Sequence, residues 1–371
     1  MMPAPVLPTT AVVERLEGVW GITRQPAGCS HCHQVYLVDP SGIGRICPNC
    51  VSGFLEAQPA LLRPEPPELL IPFRISREEI ASILKRYSEA VWIRPDDFKA
   101  ETLMSRLMPV YFPEWLVDSD LVGTWSAEMG YDYKVKSSEE TYSSGGWHTR
   151  EVIETRIRWE PRMGQIGKRF DNIQVPGLED HRHLIQVTGG YQTQQPIPYN
   201  PERLGQAYLR VPDLPPESAW PVAQGNLDQA AALSCTQAAG AQHIRNFDLH
   251  ADYESLNWTQ LLLPTYVTYY TDDQGQAHPV YINGQSGAAG GIRLASQRKG
   301  WIWAGVLLVI ALVLFLSGML SFAAAALMPP LGVLGTFLVL LGLVVGVAAI
   351  IPAIWPWRWN REQQAPKVTR T

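Results

Sequence analysis

Between Lys299 and Arg358 the sequence contains no Asp, Glu, Lys, Arg or His. The rest of the chain is ordinarily polar, so the mean hydropathy of -0.06 averages two unlike parts. Cysteine is scarce: there are five in 371 residues, four of them in two close pairs and one, Cys235, alone. No basic stretch followed by an apolar core opens the chain, which predicts no secretory signal. In a chain expected to stay in a reducing compartment, paired cysteines read as metal ligands rather than disulfides. Also missing are a phosphate-cradling Gly-rich loop ending in Lys-Ser/Thr, a dinucleotide fingerprint and a Gly-x-Ser-x-Gly elbow. These absences predict that the protein is not an enzyme. Thirty Lys and Arg stand against thirty-five Asp and Glu, a net charge of -5, which gives no reason to expect nucleic acid.

About 20 apolar residues suffice for one helix to cross roughly 30 Å of hydrocarbon, and the uncharged stretch is nearly three times that long. Met328-Pro329-Pro330 divides it, predicting a transmembrane helical hairpin over 301–355 with spans near Trp301–Ser321 and Leu331–Ile351. Arg293, Arg298 and Lys299 precede the first span in a basic juxtamembrane segment, 292–300. Arg358, Arg361, Lys367 and Arg370 follow the second in a tail, 356–371. Since Lys and Arg stay on the cytoplasmic side, both termini are expected there, in a multi-pass protein of the cell (inner) membrane. Trp301, Trp303, Trp355, Trp357 and Trp359 suit an interfacial belt on that side. The Gly342-Leu-Val-Val-Gly346 spacing and Ser317-Gly318 reflect either close helix packing or the ordinary abundance of glycine in membrane helices. With no ionisable residue in either span, no ion pathway is expected.

Cys29-Ser-His-Cys32 and Cys47-Pro-Asn-Cys50 repeat a Cys-x-x-Cys pair. Four thiolates at this spacing can surround one tetrahedral ion, so Cys29, Cys32, Cys47 and Cys50 are expected to bind a structural Zn2+ in a zinc ribbon over 21–56. Val35-Tyr-Leu-Val38 and Asp39-Pro-Ser-Gly42 supply the strand and turn between the pairs. His31 and His33 read as exposed neighbours, because the thiolates fill the site. A closed site leaves no position for activated water. Arg24 and Arg45 against Asp39 and Glu56 leave the module nearly neutral, which argues for contact with protein rather than phosphate.

After an N-terminal segment (1–20), the ribbon and a proline-rich linker (57–72), an α+β cytoplasmic domain with an antiparallel sheet is expected over 73–291. Ser76-Arg-Glu-Glu79 is a capping box, followed by Ile80, Ile83, Leu84, Tyr87 and Val91 at helical spacing. Ile153, Thr155, Ile157 and Trp159 alternate with charged residues, predicting a half-buried strand paired with Leu121–Val135 across a loop at Ser143–Gly146. Further strands are expected near Leu261–Tyr270 and Pro279–Asn283 around an Asp272–Gly275 turn, with a helix over Glu217–Ile244. Glu179, Asp180, His181 and His183 read as a solvated turn rather than a metal site. Cys235 reads as a buried small hydrophobe, and Trp92, Trp115, Trp125 and Trp159 as core.

In chain order, Leu70-Ile-Pro-Phe73, Trp92-Ile-Arg-Pro-Asp-Asp-Phe98, Val110-Tyr-Phe-Pro-Glu-Trp115, Arg158-Trp-Glu-Pro161 and Phe170-Asp-Asn-Ile173 are followed by Pro198-Tyr-Asn-Pro-Glu202, Leu262-Leu-Pro-Thr-Tyr266 and Tyr281-Ile-Asn-Gly-Gln-Ser-Gly287. Together these resemble a bacterial family of TFIIB-type zinc-ribbon proteins with C-terminal transmembrane spans, often labelled primosomal-protein-N′-like. The helicase activity such a label implies has no Walker motif to carry it here. The architecture is also similar to the zinc-ribbon membrane protein that recruits phage-shock protein A homologues. Val51 departs from the usual Cys-Pro-x-Cys-Gly turn. The resemblance implies a membrane-anchored, non-catalytic adaptor recruiting a cytoplasmic protein partner, in a membrane-stress response. The alternative is a membrane-tethered nucleic-acid-binding protein.

Overall fold

The computed structural model describes residues 16–18, 20–59, 66–143, 145–326 and 328–364, so most of the N-terminal segment and the tail's Lys367 and Arg370 lie outside the described residues. It is a mixed α+β structure: one large sheet, helices packed on it, and two apolar helices at the C-terminus. The sheet begins in the cysteine-rich region with β1 (Gln25–Cys29), β2 (Val35–Val38) and β3 (Leu55–Ala57), all antiparallel. Next, β4 (Leu69–Leu70) comes from the stretch expected to be a linker. Its Leu70 and the following Ile71 are fully buried, so that stretch rejoins the core at its end, while 60–65 lie outside the described residues.

Helix α1 (Arg77–Glu89) starts as its sequence directs. The Glu79 N–H donates to Ser76 Oγ at 3.2 Å, and the Ser76 N–H donates to Glu79 Oε2 at 2.8 Å. Ile80, Leu84 and Tyr87 form its buried stripe against Phe98, Tyr270 and Val280. A short helix, α2 (Ala100–Ser105), leads into β5 (Met108–Ser143), a 36-residue strand on the order of 100 Å long at about 3.3 Å per residue. It turns at Ser143–Gly146 into β6 (Gly146–Pro176), as expected, with Glu128 opposite Pro161 and Val135 opposite Glu154.

The chain continues through α3 (His181–Thr188), β7 (Ile197–Pro198) and β8 (Tyr208–Arg210) to α4 (Pro216–Ala238). Ala219, Ala223, Leu227, Ala231 and Cys235 recur every fourth residue as the buried stripe of α4, pressed on Val117, Leu121, Met129, Phe170 and Val175. The small side chains let the helix lie close to the sheet. Helix α4 ends at Ala238, short of the expected Ile244, because β9 (His243–Thr271) claims the following residues. Strands β10 (Ala277–Asn283) and β11 (Ala289–Gly291) complete the sheet. The Asp272–Gly275 turn joins β9 to β10, closed by Asp272 Oδ1 accepting from the Gln274 and Gln276 N–H groups.

Along β5 the sheet changes neighbour. β9 flanks one side, and β8 and then β6 flank the other. Bulges break the long registers, and the extra residues Asn172 and Asn246 adopt left-handed backbone that asparagine tolerates. Pairing of β5 with β9 stops at Gly130–His243. From Tyr131 outward β5 and β6 therefore project as a two-stranded ribbon. This corrects the half-buried reading of 152–161: Ile153 is 69% exposed and Ile157 is exposed too, because no third strand or helix covers that face among the described residues. Trp115, Trp125 and Trp159 are half-buried rather than core. Trp92, at 62% exposure, is a surface residue.

After β11 come α5 (Gln297–Ala324), α6 (Pro330–Ala348) and α7 (Ile350–Gln364). Helix α5 and the continuous α6–α7 run are each long and apolar enough to cross a membrane, and only 11% and 17% of their most apolar stretches are buried within the protein. Close packing, not mere abundance, explains several glycines. A Cβ on Gly318 would meet the Gly335 carbonyl oxygen at 2.9 Å, and one on Gly342 would meet the Ala311 carbonyl oxygen at 3.0 Å. Gly346 lies in looser contact. Helix α7 is not a free tail, because it docks on the sheet domain. Trp359 Nε1 donates to the Arg293 carbonyl at 2.6 Å, and Asn360 exchanges hydrogen bonds with the Ala295 backbone at 2.7 and 3.0 Å. Trp355 and Trp359 pack in this joint, whereas Trp301, Trp303 and Trp357 are exposed.

Candidate metal centre

Two turns of the same design carry the cysteines. In the first, the His33 N–H donates to the Cys29 carbonyl at 3.1 Å; in the second, the Val51 N–H donates to the Cys47 carbonyl at 3.0 Å. Each turn then closes by bringing that fifth residue into left-handed backbone, φ 60° at His33 and 47° at Val51. The position where Val51 departs from the glycine of the usual turn is therefore strained, as a β-branched residue there must be.

The turns bring Cys29, Cys32, Cys47 and Cys50 together with every sulfur within 4.8 Å of the others, and none forms a disulfide. Cys29 Sγ lies 3.5 Å from Cys50 Sγ, and Cys32 Sγ lies 3.7 Å from Cys47 Sγ. Sulfurs around a tetrahedral ion with bonds of about 2.3 Å sit about 3.8 Å apart, so the group has the dimensions to hold one metal ion. Backbone donors converge on the same sulfurs. The His31 and Cys32 N–H groups reach Cys29 Sγ, Asn49 N–H reaches Cys47 Sγ and Gly53 N–H reaches Cys50 Sγ, each at 3.4 Å. Such donors favour thiolate over thiol. At Cys29 burial outweighs them and pushes the thiol up, whereas at Cys32 the hydrogen bond from the Cys47 thiol, ahead of burial that opposes it, brings the thiol down, and Cys47, which keeps the proton, is pushed up. A cation would take the place of that shared proton.

Gly53 forms the back wall. A Cβ there would lie 2.6 Å from Cys29 Sγ and 2.7 Å from His31 Cβ. Cys29 and Cys47 are buried, Cys32 and Cys50 half-buried, and His31 and His33 are exposed as expected.

The module is built into the large sheet. β2 pairs with β8, placing Tyr36 opposite Arg210, and Cys29, Tyr36, Cys47 and Leu55 share a core with Val110, Phe112, Val267 and Tyr281. Arg24 is committed to this joint. Its guanidinium is buried and donates to the Ala207 and Gly205 carbonyls at 2.5 and 2.6 Å, leaving Arg45 as the exposed cation of the two.

Glu179 and His183 are exposed, as a solvated turn requires, but the two residues Asp180 and His181 are half-buried. Asp180 turns inward to Arg210, and His181 is half-buried with Nε2 3.4 Å from Glu114 Oε1, so these side chains do not gather into a metal site. Cys235 packs on Ala127 and Met129. Sequence reasoning missed Gly53, Asn49 and Arg210. A glycine three residues after the last cysteine was the one available signal. Compared with family models, with curated proteins and with solved structures, the chain finds no match.

Proposed function

We propose that the protein is a non-catalytic membrane adaptor. The C-terminal hairpin spans the inner membrane with both chain ends in the cytoplasm. The four thiolates hold a structural Zn2+ in a zinc ribbon, and the ribbon with its sheet receives a cytoplasmic protein. Zinc is the ion of choice because a closed set of four thiolates in a tetrahedron suits it and leaves no open position. The observation that carries the reading is continuity: the cysteine module shares a sheet with the body, and the body is bonded to α7 at Trp359–Arg293 and Asn360–Ala295. A protein bound at the cysteines is thus held at a set position relative to the hairpin. The burial of Arg24 supports a protein partner, since it removes one of the module's two cations from reach of phosphate. The resemblance to zinc-ribbon partners of phage-shock proteins makes membrane stress the setting proposed.

The test is a pulldown from detergent-solubilised membranes, split into nuclease-treated and untreated halves. A cytoplasmic protein retained equally in both, and found at the membrane only when this protein is present, is the expected result. Nuclease-sensitive capture, or micromolar binding of DNA or RNA with a steep salt dependence, would replace the adaptor with a nucleic-acid tether. Topology is checked separately. A reporter active only outside the cytoplasm should be silent after Thr371 and active when inserted at Met328.

A further inference from the structure

Where the sheet domain meets the hairpin, an open groove of about 610 Å³ is lined by Arg94, Lys99 and Lys299 together with Trp303, Leu307 and Ile351. The volume lies within the range of small-molecule sites. Lys299, Trp303 and Leu307 follow one another at four-residue spacing on α5, so they share a helix face, and Leu307 lies about 12 Å further along the axis than Lys299 at 1.5 Å per residue. One wall of the groove therefore grades from a cation to apolar side chains in the direction of the hairpin's interior.

The cations are in excess. Lys299 Nζ pairs with Asp96 Oδ1 at 2.7 Å, and that carboxylate is itself 82% exposed. Arg94 and Lys99 make no side-chain hydrogen bond or ion pair among the described residues. Three cations thus face one carboxylate beside a wall that is apolar and exposed. Water satisfies the first feature and not the second, and hydrocarbon does the reverse. An amphiphile with an anionic head and acyl chains satisfies both.

We propose that this groove binds one anionic phospholipid, its phosphate held by Arg94, Lys99 and Lys299 and its acyl chains lying along Trp303, Leu307 and Ile351. The site rests on the membrane-spanning reading of the hairpin. It lies against the joint where Trp92 meets Trp355 edge to face, ring centroids 5.5 Å apart, so the lipid would fill the seam between body and hairpin.

The experiment uses the full chain. Membranes are first washed in alkaline carbonate. If the protein washes off, the membrane reading fails and the site falls with it. If it stays, it is reconstituted into nanodiscs of phosphatidylcholine with phosphatidylglycerol, released into mild detergent and weighed by native mass spectrometry. The expected result is one retained phosphatidylglycerol in preference to phosphatidylcholine. In R94Q/K99Q that preference should fall roughly tenfold or more, the effect of removing two cations from an anionic interface. Weak zwitterionic adducts should be unchanged in the variant, which shows it intact. No preference in the wild type, or an equal preference in the variant, would overturn the site while leaving the hairpin in place. Displacement of the lipid by millimolar inorganic phosphate would assign the cations to a soluble anion and also overturn it.

Discussion

The Arg210 guanidinium holds Asp180 at 3.0 Å with its side chain wholly withdrawn from solvent. Its second amine reaches Asp213, also at 3.0 Å, and the first also lies 3.4 Å from Asn49 Oδ1, between Cys47 and Cys50. The Asn49 carbonyl in turn accepts from the Tyr281 hydroxyl at 3.2 Å. One buried cation thereby links β8, the start of α3 and the second cysteine turn, and Tyr281 ties that turn to β10.

Replacing Arg210 with Met should leave Asp180 and Asp213 uncompensated at the edge of the core. Breaking a buried pair costs about 3–5 kcal/mol, and the lower end applies because both carboxylates keep some solvent. Thermal melting in detergent should show a clear drop, and Lys should recover only part of it because it cannot fork to two carboxylates. An unchanged melting temperature in the Met variant would reject the linking role.

The left-handed residues that close the two cysteine turns should respond oppositely to glycine. At exposed His33, relief of about 1–2 kcal/mol of strain exceeds the roughly 0.5–1 kcal/mol entropic cost of a glycine, so His33→Gly should stabilise slightly. Val51 has the same strain but its side chain is buried. Deleting it costs about 2–3 kcal/mol, so Val51→Gly should destabilise. Melting of the two variants side by side decides this, and a gain for both would mean that Val51 contributes no packing.

Gly53→Ala should loosen the metal centre without touching a ligand. Its Cβ would drive into Cys29 Sγ and His31, and both positions are fixed by the turn. Purified wild-type protein should carry about one zinc per chain, as a four-ligand tetrahedral site requires. The variant should lose it faster to a chelator, with the hairpin still in the membrane fraction. Equal release rates would show that the back wall can give way. Removing the metal altogether should expose Cys32 and Cys50 to thiol reagents first, since they are already half-buried.

Acid should weaken the joint at Asp97. This carboxylate accepts from Arg106 Nη1 at 2.6 Å, Arg106 Nη2 at 3.0 Å, and the Thr271 N–H and hydroxyl at 2.7 Å each. Burial alone would raise its pKa, but these donors outweigh it and hold the group below its ordinary value. Its contribution is therefore complete above about pH 3.9, the unfolded value, and is lost as pH falls through the lowered folded value. Asp97→Asn should cost about 2 kcal/mol at pH 7, and the gap from wild type should close in acid. A gap that persists at the lowest pH would mean that shape rather than charge holds the joint.

Much of this architecture was legible locally. The capping box at Ser76–Glu79, the β5–β6 pairing, the Asp272–Gly275 turn and the two C-terminal helices all follow from patterns that a few neighbouring residues complete. The end of α4 was not legible, because His243 and Ile244 belong to a strand whose partners there, Gly130 and Met129, are far away in the chain. Nor was the exposure of Ile153, since alternation sets which residues share a face but not whether anything covers it.

The sequence by itself determined that four cysteines recur at metal-binding spacing and that a long uncharged stretch lies between Lys299 and Arg358, since backbone geometry within a turn and the cost of placing charge in hydrocarbon need no distant contact. Only the tertiary structure decided that the cysteine module is one edge of the main sheet, that Arg24 and Arg210 are buried ties rather than surface charges, and that Trp359 and Asn360 bolt the hairpin to the body. A charged residue reads as solvent-facing unless its partners are known, and here those partners lie in other elements, brought close by strand pairing and burial.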